Sequence, residues 1–229
     1  MAAQIVISPH LDDAVFSCFT LMTDPGRFRE FAGGGEGGEA VHVVNVFCAF
    51  PDGGVLGDWD ETCGARSSWA QLHKRIGEDA EIFARLGVPS HYLAVLDKQY
   101  RNALPEPDAS SIAERIVDAV EVDEDTTVWM PWARDSSGSP THDDHLLART
   151  AAELVVGDTG ARARYYADLP YLHDDILAES RASHDALTIW ELRADRAKLG
   201  VSRSYVTQWK HLPISWRQLK HERYVKVTA

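Results

Sequence analysis

Cysteine is scarce in this chain and poorly placed for covalent or metal chemistry. Cys18, Cys48 and Cys63 are odd in number, and none sits in a C-x-x-C pair. That argues against a disulfide framework or a thiolate zinc site and fits a reducing, cytoplasmic compartment. Cys18 and Cys48 read as small apolar residues, while Cys63 falls in a polar loop. Long apolar runs are also missing. No stretch of about 18 apolar residues occurs, so no membrane-spanning helix is expected. The first ten residues carry no basic cluster ahead of an apolar run, so no secretory signal is expected there. Positive charge is short too: 23 Lys and Arg stand against 35 Asp and Glu, a formal net charge of −12. A nucleic-acid backbone needs a basic face, and an anionic membrane attracts one, so neither is expected as a partner. The local exception is near the end, at Lys210, His211, Arg217, Lys220, His221 and Arg223.

What is present describes a globular α/β protein. The 229 residues, 45% of them hydrophobic, suffice for one large domain with a full core. Gln4–Ser8 is a short β-branched run closed by Pro9, and it reads as a buried strand. A helix follows from Asp12 to Thr23, with Val15, Cys18, Phe19 and Met22 on one face. Further strands are expected at Val41–Phe50, His91–Leu96, Thr126–Trp132 and Arg164–Leu169. Helices are expected at Ser67–Leu86, closed by Gly87, at about 110–120, and from an N-cap at Thr141 to about Val156. Residues 32–39 are a glycine-rich loop and 51–66 a long polar loop. A last helix is expected over about 184–198, with strand or loop character in the tail. Strand and helix alternate through residue 170, the pattern of a mainly parallel sheet with helices on its faces. Residues 1–229 are read as one domain, with a core of 1–170 and an extension, 171–229, packing on it.

Two polar motifs stand out. Ser8-Pro9-His10-Leu11-Asp12-Asp13 follows the first strand, and Thr141-His142-Asp143-Asp144-His145 follows the fourth. Both fall at the carboxyl edge of the expected sheet, where ligands of open α/β sheets bind. His10 and Asp13 are three apart, as are His142 and His145, so either pair can reach one cation. Zinc accepts imidazole nitrogen and carboxylate oxygen, and catalytic sites use three protein ligands. Either motif alone is unremarkable, because Asp at a helix start is commonly a cap. The two at one sheet edge favour a metal site.

These residues resemble the paired signatures of the PIG-L, or LmbE-like, metal-dependent N-deacetylases. The likeness extends to Arg75-Ile76-Gly77-Glu78, Leu96-Asp97, Tyr100-Arg101 and Tyr165-Tyr166-Ala167-Asp168-Leu169-Pro170, with weaker echoes at Tyr205, Gln208 and Glu222. It implies a Rossmann-like three-layer sandwich and a hydrolase that removes an N-acetyl group from an amino-sugar-containing small molecule. By position, His10, Asp13 and His145 would hold Zn2+, with Fe2+ suiting the same ligands. Asp12 would be the general base toward the metal-activated water. His142 would stabilise the oxyanion or protonate the amine, oriented and kept cationic by Asp144. Leu11, Ala14 and Asp143 depart from the usual residues, and Pro140 stands where some members carry a tyrosine. Arg75 and Asp97 are candidate substrate contacts, with a surface ion pair and a loop cap as their plainer readings. Trp59, Trp132 and Tyr100 are candidates to stack on a sugar. An amidase on a thiol conjugate or N-acyl amino acid, and an inactive metal-binding module, are the competing functions. The sequence allows a homo-oligomer without requiring one.

Overall fold

A computed structural model describes residues 3–28, 40–101, 104–134, 142–171 and 186–228. The strands are β1 (Ala3–Ser8), β2 (Ala40–Asn45), β3 (Ser90–Tyr92), β4 (Thr127–Pro131), β5 (Arg162–Tyr166), β6 (Ala186–Arg193) and β7 (His221–Thr228). The helices are α1 (Asp13–Thr23), α2 (Asp58–Thr62), α3 (Ser68–Leu86), α4 (Ala109–Ala119), α5 (Asp143–Thr159), α6 (Ala197–Ser202) and α7 (Trp216–Leu219). One sheet runs in the order β3-β2-β1-β4-β5-β7-β6. The pairs among β1 to β5 are parallel, and β7 is antiparallel to both β5 and β6.

Strand alternation divides the core between two faces. Ile5, Ile7, Val44, Val128 and Met130 pack with Ile112 and Ile116 of α4 and Ala148, Ala151 and Val155 of α5. Val6, Val43 and Trp129 pack with Val15, Phe16 and Phe19 of α1, Ile82 and Phe83 of α3, and Tyr205 and Leu219 from the C-terminal segment. The second layer explains why α1 is buried from Asp13 through Met22 rather than on one stripe. Helices on both faces make the three-layer sandwich that the alternation implied.

Local chemistry sets several boundaries where expected. The Ser67 side chain caps α3, and Gly87 ends it at φ 68, a left-handed conformation that glycine adopts without a Cβ clash. The helix expected near 110 starts one residue earlier, with Asp108 as its side-chain cap. Other boundaries move. β2 stops at Asn45, opposite Ser8 at the end of β1, and Val46 and Phe47 then donate their N–H groups to Ser8 and to Pro9, the residue just past β1. The third and fifth strands are also shorter than expected, at Ser90–Tyr92 and Arg162–Tyr166. The polar segment 51–66 contains α2. Thr141 and the glycine-rich segment 32–39 lie outside the described residues, and the N-cap of α5 is His142. The helix expected over 184–198 is instead β6 followed by the short α6. All eight residues of β6 pair with β7, and Glu191 bridges to Arg223 and His221 at 2.8 Å each. A ladder with a segment 30 residues on overrides the local helical spacing.

Candidate metal centre and catalytic cavity

From β1 the chain steps outward to β2 and β3, then returns to place β4 on the other side of β1. The carboxyl ends of β1 and β4 are therefore the switch point of the sheet, where two connections leave in opposite directions and open a crevice. The first motif follows β1 and the second opens α5. Ser8 fixes the first turn: its hydroxyl donates to His10 O at 2.6 Å and accepts from Ala14 N at 3.1 Å.

The structure brings His10, Asp13 and His145 together. His10 Nδ1, Asp13 Oδ2 and His145 Nε2 lie 3.3 Å from one another on all three sides. A tetrahedral cation with bonds of about 2.0 Å sets its ligand atoms about 3.3 Å apart, so this donor set fits zinc in size and chemistry. A second grouping, His10 with His142 and Asp144, also lies within coordinating range. Its carboxylate is already engaged elsewhere, so the first grouping is the better cation site.

Each imidazole of the triangle has a carboxylate on its far nitrogen. His145 Nδ1 lies 2.8 Å from Asp168 Oδ2, and both side chains are fully buried. His10 Nε2 lies 3.2 Å from Asp144 Oδ2. Such partners fix the tautomer and present the other nitrogen to a cation. Asp144 also accepts from Lys98 N at 2.9 Å, and its other oxygen takes Arg101 Nη2 at 2.8 Å. Burial pushes the Asp144 carboxyl up, but the bonds from His10 and Lys98 N–H and the charge of Arg101 outweigh it. The group is held well below the ordinary carboxylate range.

The Asp144 carboxylate therefore faces His10, and its contact with His142 runs through the backbone N–H rather than the carboxylate. His142 accepts the backbone N–H of Asp144 on Nδ1 at 3.2 Å, as the cap of α5. Burial, then the charges of His10 and His145, lower its pKa to about 4. It is a neutral imidazole with Nε2–H as its donor, rather than the cationic acid the sequence suggested.

Asp12 makes no cap bond to α1, and its carboxylate lines the cavity. Burial and the adjacent Asp13 raise it to about 6, against the opposing charges of Arg75 and His10. Arg75 is 4% exposed, which removes the surface ion-pair reading. It faces the charges of Asp12 and Asp97, and its Nε has no hydrogen-bond partner among the described residues. Asp97 caps a short 3-10 turn by accepting from Gln99 N at 3.0 Å, and it also faces the site, 3.8 Å from His10 Nε2. The loop cap is present, and the same side chain lines the cavity.

The cavity has a volume of about 460 Å³. His10, Asp12, Asp13 and His142 form its floor with Arg75 and Asp97. Trp59 and Tyr171 add aromatic faces, and Leu212 and Pro213 close it from the C-terminal segment. Two of the three expected stacking aromatics are elsewhere. Trp132 is buried against Tyr165 and Arg149. Tyr100 is buried with its hydroxyl on Asp60 at 2.6 Å.

Asp168 and Arg101 stand in runs that resemble the family, but the sequence assigned neither a role, and both prove to be supporting residues of the site. Beyond that likeness, the signal was position, since both come after strands whose ends lie at the same sheet edge. Ala133, just after β4, has φ 55, a costly conformation for a residue with a Cβ. Its N–H donates to Asp168 Oδ1 at 3.2 Å, so the strain sits at the site's support.

An α/β sandwich with an imidazole–carboxylate triangle at its switch point defines the class to which this chain belongs structurally. No family model matches the sequence, and no curated protein does. Solved structures share the fold. A deacetylase of the teicoplanin biosynthesis pathway superposes with a TM-score of 0.74 at 20% identity, covering 99% of each chain. The N,N'-diacetylchitobiose deacetylase from Pyrococcus horikoshii gives 0.54 at 16% identity, covering 90% of this chain and 70% of its own. The 4-carboxy-2-hydroxymuconate hydratase from Pseudomonas putida gives 0.52 at 17% identity, covering 96% and 81%. One fold thus carries hydrolases and a hydratase, and the reaction has to be argued from the site.

Proposed function

We propose that this chain is a zinc-dependent hydrolase that removes an N-acetyl group from an amino-sugar-containing small molecule. The observation that carries the reading is the 3.3 Å triangle of His10, Asp13 and His145 with the uncapped Asp12 beside it. It supports the likeness of its motifs to those of the PIG-L, or LmbE-like, deacetylases. The shared fold with deacetylases of teicoplanin biosynthesis and of diacetylchitobiose supports the same chemistry.

A bound divalent cation would supply an acidified water and a polarised amide carbonyl. The remaining work falls to the protein. The Asp12 carboxylate takes the proton of the attacking water, and a nearby cation keeps it ionised near neutrality. The same proton then passes to the amide nitrogen as the C–N bond breaks, so water, amine and carboxylate balance. His142, neutral and held by its bond from Asp144 N, offers Nε2–H to the carbonyl oxygen as charge builds there. Arg75, Asp97, Lys98, Gln99 and Gln208 give the cavity several charged and amide groups for hydroxyls, beside the aromatic faces of Trp59 and Tyr171. That mixture suits a sugar.

Acetate release from N-acetylglucosamine derivatives, measured with and without added zinc, tests the reading. Asp12→Ala should retain the metal and lose roughly 10²–10⁴-fold in turnover. Full turnover in that variant would overturn the role of Asp12. Activity confined to N-acyl amino acids or thiol conjugates would move the substrate class, and activity on no acyl amide would leave a metal-binding module.

A further inference from the structure

Tyr171 stands against the metal triangle from a third direction. It follows β5 on the segment that supplies Asp168. Its ring centroid is 5.0 Å from that of His145 and 5.4 Å from that of His142. The residue is 40% exposed, yet it lines the cavity together with Asp12 and Arg75. Its backbone position is fixed. Asp168 is locked between His145 and Ala133 N, and Leu169, 1% exposed, donates its N–H to Ser17 Oγ at 3.1 Å. The same carboxylate that aims His145 thus anchors the tyrosine three residues on.

The phenol makes no hydrogen bond among the described residues, in contrast to the six other tyrosines of the chain: Tyr92, Tyr100, Tyr165, Tyr166, Tyr205 and Tyr224 all have bonded hydroxyls. A phenol is protonated at neutral pH and can donate. His142 and Tyr171 line the cavity together, and each offers it an uncharged donor, the imidazole Nε2–H and the phenol hydroxyl. Asp12 lies by Arg75 and is an acceptor. Two neutral donors are what a developing oxyanion requires.

We propose that Tyr171 is a catalytic residue whose hydroxyl donates a hydrogen bond to the carbonyl oxygen of the scissile amide as negative charge develops on it. This rests on the amide-hydrolase reading above. No covalent bond to the phenol is formed, and its proton stays on its oxygen.

Tyr171→Phe tests it, because the ring and its contacts remain and only the hydroxyl goes. With the N-acetylated sugar that the wild type turns over best, kcat should fall about 10²–10³-fold, the usual loss on removing one oxyanion donor. KM should change by less than about threefold, since the ground-state carbonyl gains little from the bond. Zinc content by elemental analysis should equal that of the wild type, and inhibition by methylphosphonate, a tetrahedral anion, should weaken at least tenfold. Retention of kcat within threefold, or a loss residing wholly in KM, overturns the proposal and leaves Tyr171 as a wall of the cavity. A wild type that hydrolyses no acyl amide would sink the deacetylase reading and this proposal with it. A normal wild type beside an unimpaired Phe variant would sink this proposal alone.

Discussion

An imidazole has two nitrogens, and a cation can take only one at each histidine. Asp168 makes that choice for His145, and Asp144, braced by Arg101, makes it for His10. Asp168→Ala should therefore weaken zinc binding by about 10–100-fold, the usual effect of removing such a partner. Titration against a competing chelator measures it, and unchanged affinity would show that the His145 ring is held by packing alone. The three members of the triangle were legible because each sits in a short motif at a strand end. The role of Asp168 was not, since the family-like run that holds it does not name its partner, which lies 23 residues earlier. The charge of His142 was likewise hidden. Its neutrality follows from burial beside two imidazoles, and spacing in sequence says nothing of burial.

At the scale of elements, the C-terminal segment is tied to the sandwich through buried polar groups. Helix α1 is non-helical at Cys18, at φ −128, and beyond it Thr20 N donates to Glu222 of β7 at 3.0 Å. A side chain inserted into the helical ladder is a recognised cause of such a bend. Glu222 also accepts from Tyr224 Oη and lies 2.8 Å from Lys198 Nζ, with both charged side chains fully buried. Lys198→Met leaves that carboxylate without its counter-charge and should cost about 3–5 kcal/mol. Adding Glu222→Gln should restore most of the loss, because the amide oxygen can still accept from Thr20 N. Urea denaturation of the single and double variants decides it, and equal stability of the two would show that the charge is not the cause.

A second tie joins α3 to the same segment. Asp79 accepts from Tyr205 Oη at 2.8 Å, Tyr92 Oη at 2.9 Å and Asn45 Nδ2 at 3.0 Å. Burial raises its carboxyl to about 8, even against those three bonds. From the ordinary carboxylate range up to about pH 8, the folded chain then holds a proton that the unfolded chain has released. The stability linked to this group must decline as pH rises through that interval. Asp79→Asn removes the titration. Wild type should lose ground to the variant between pH 5 and pH 9 in denaturant midpoints, and parallel profiles would refute the assignment. These ties explain why the last 60 residues were the least legible part of the sequence. Strand β6 is specified by β7, and α6 by a buried ion pair with β7, so neither is written in its own local pattern.

For the molecule as a whole, the decisive property is convergence. The loops after β1 and β4 meet only because the chain reverses its direction of winding between them, and that reversal is visible in the alternation of elements only once strand order is known. Convergence has an energetic signature. Asp12 and Asp13 are both buried at one point of a chain with net charge −12, so the folded state gathers like charge there and a divalent cation relieves it. A cation that binds the folded triangle and finds no such site in the unfolded chain stabilises folding by mass action. At a free concentration about 100 times the dissociation constant, the gain is about 2.7 kcal/mol. In a protein of this size that corresponds to a rise in Tm of roughly 5–10 °C. Thermal unfolding in zinc, and again after chelation, should show that separation in the wild type. His145→Ala should lose it, because two donors do not hold the ion as three do. The comparison with the variant matters, since zinc acting at scattered surface histidines would shift both proteins alike. Equal shifts in the two would mean that the His–Asp–His triangle is an internal hydrogen-bonded cluster rather than a cation site, and the hydrolase built on it would have to be abandoned.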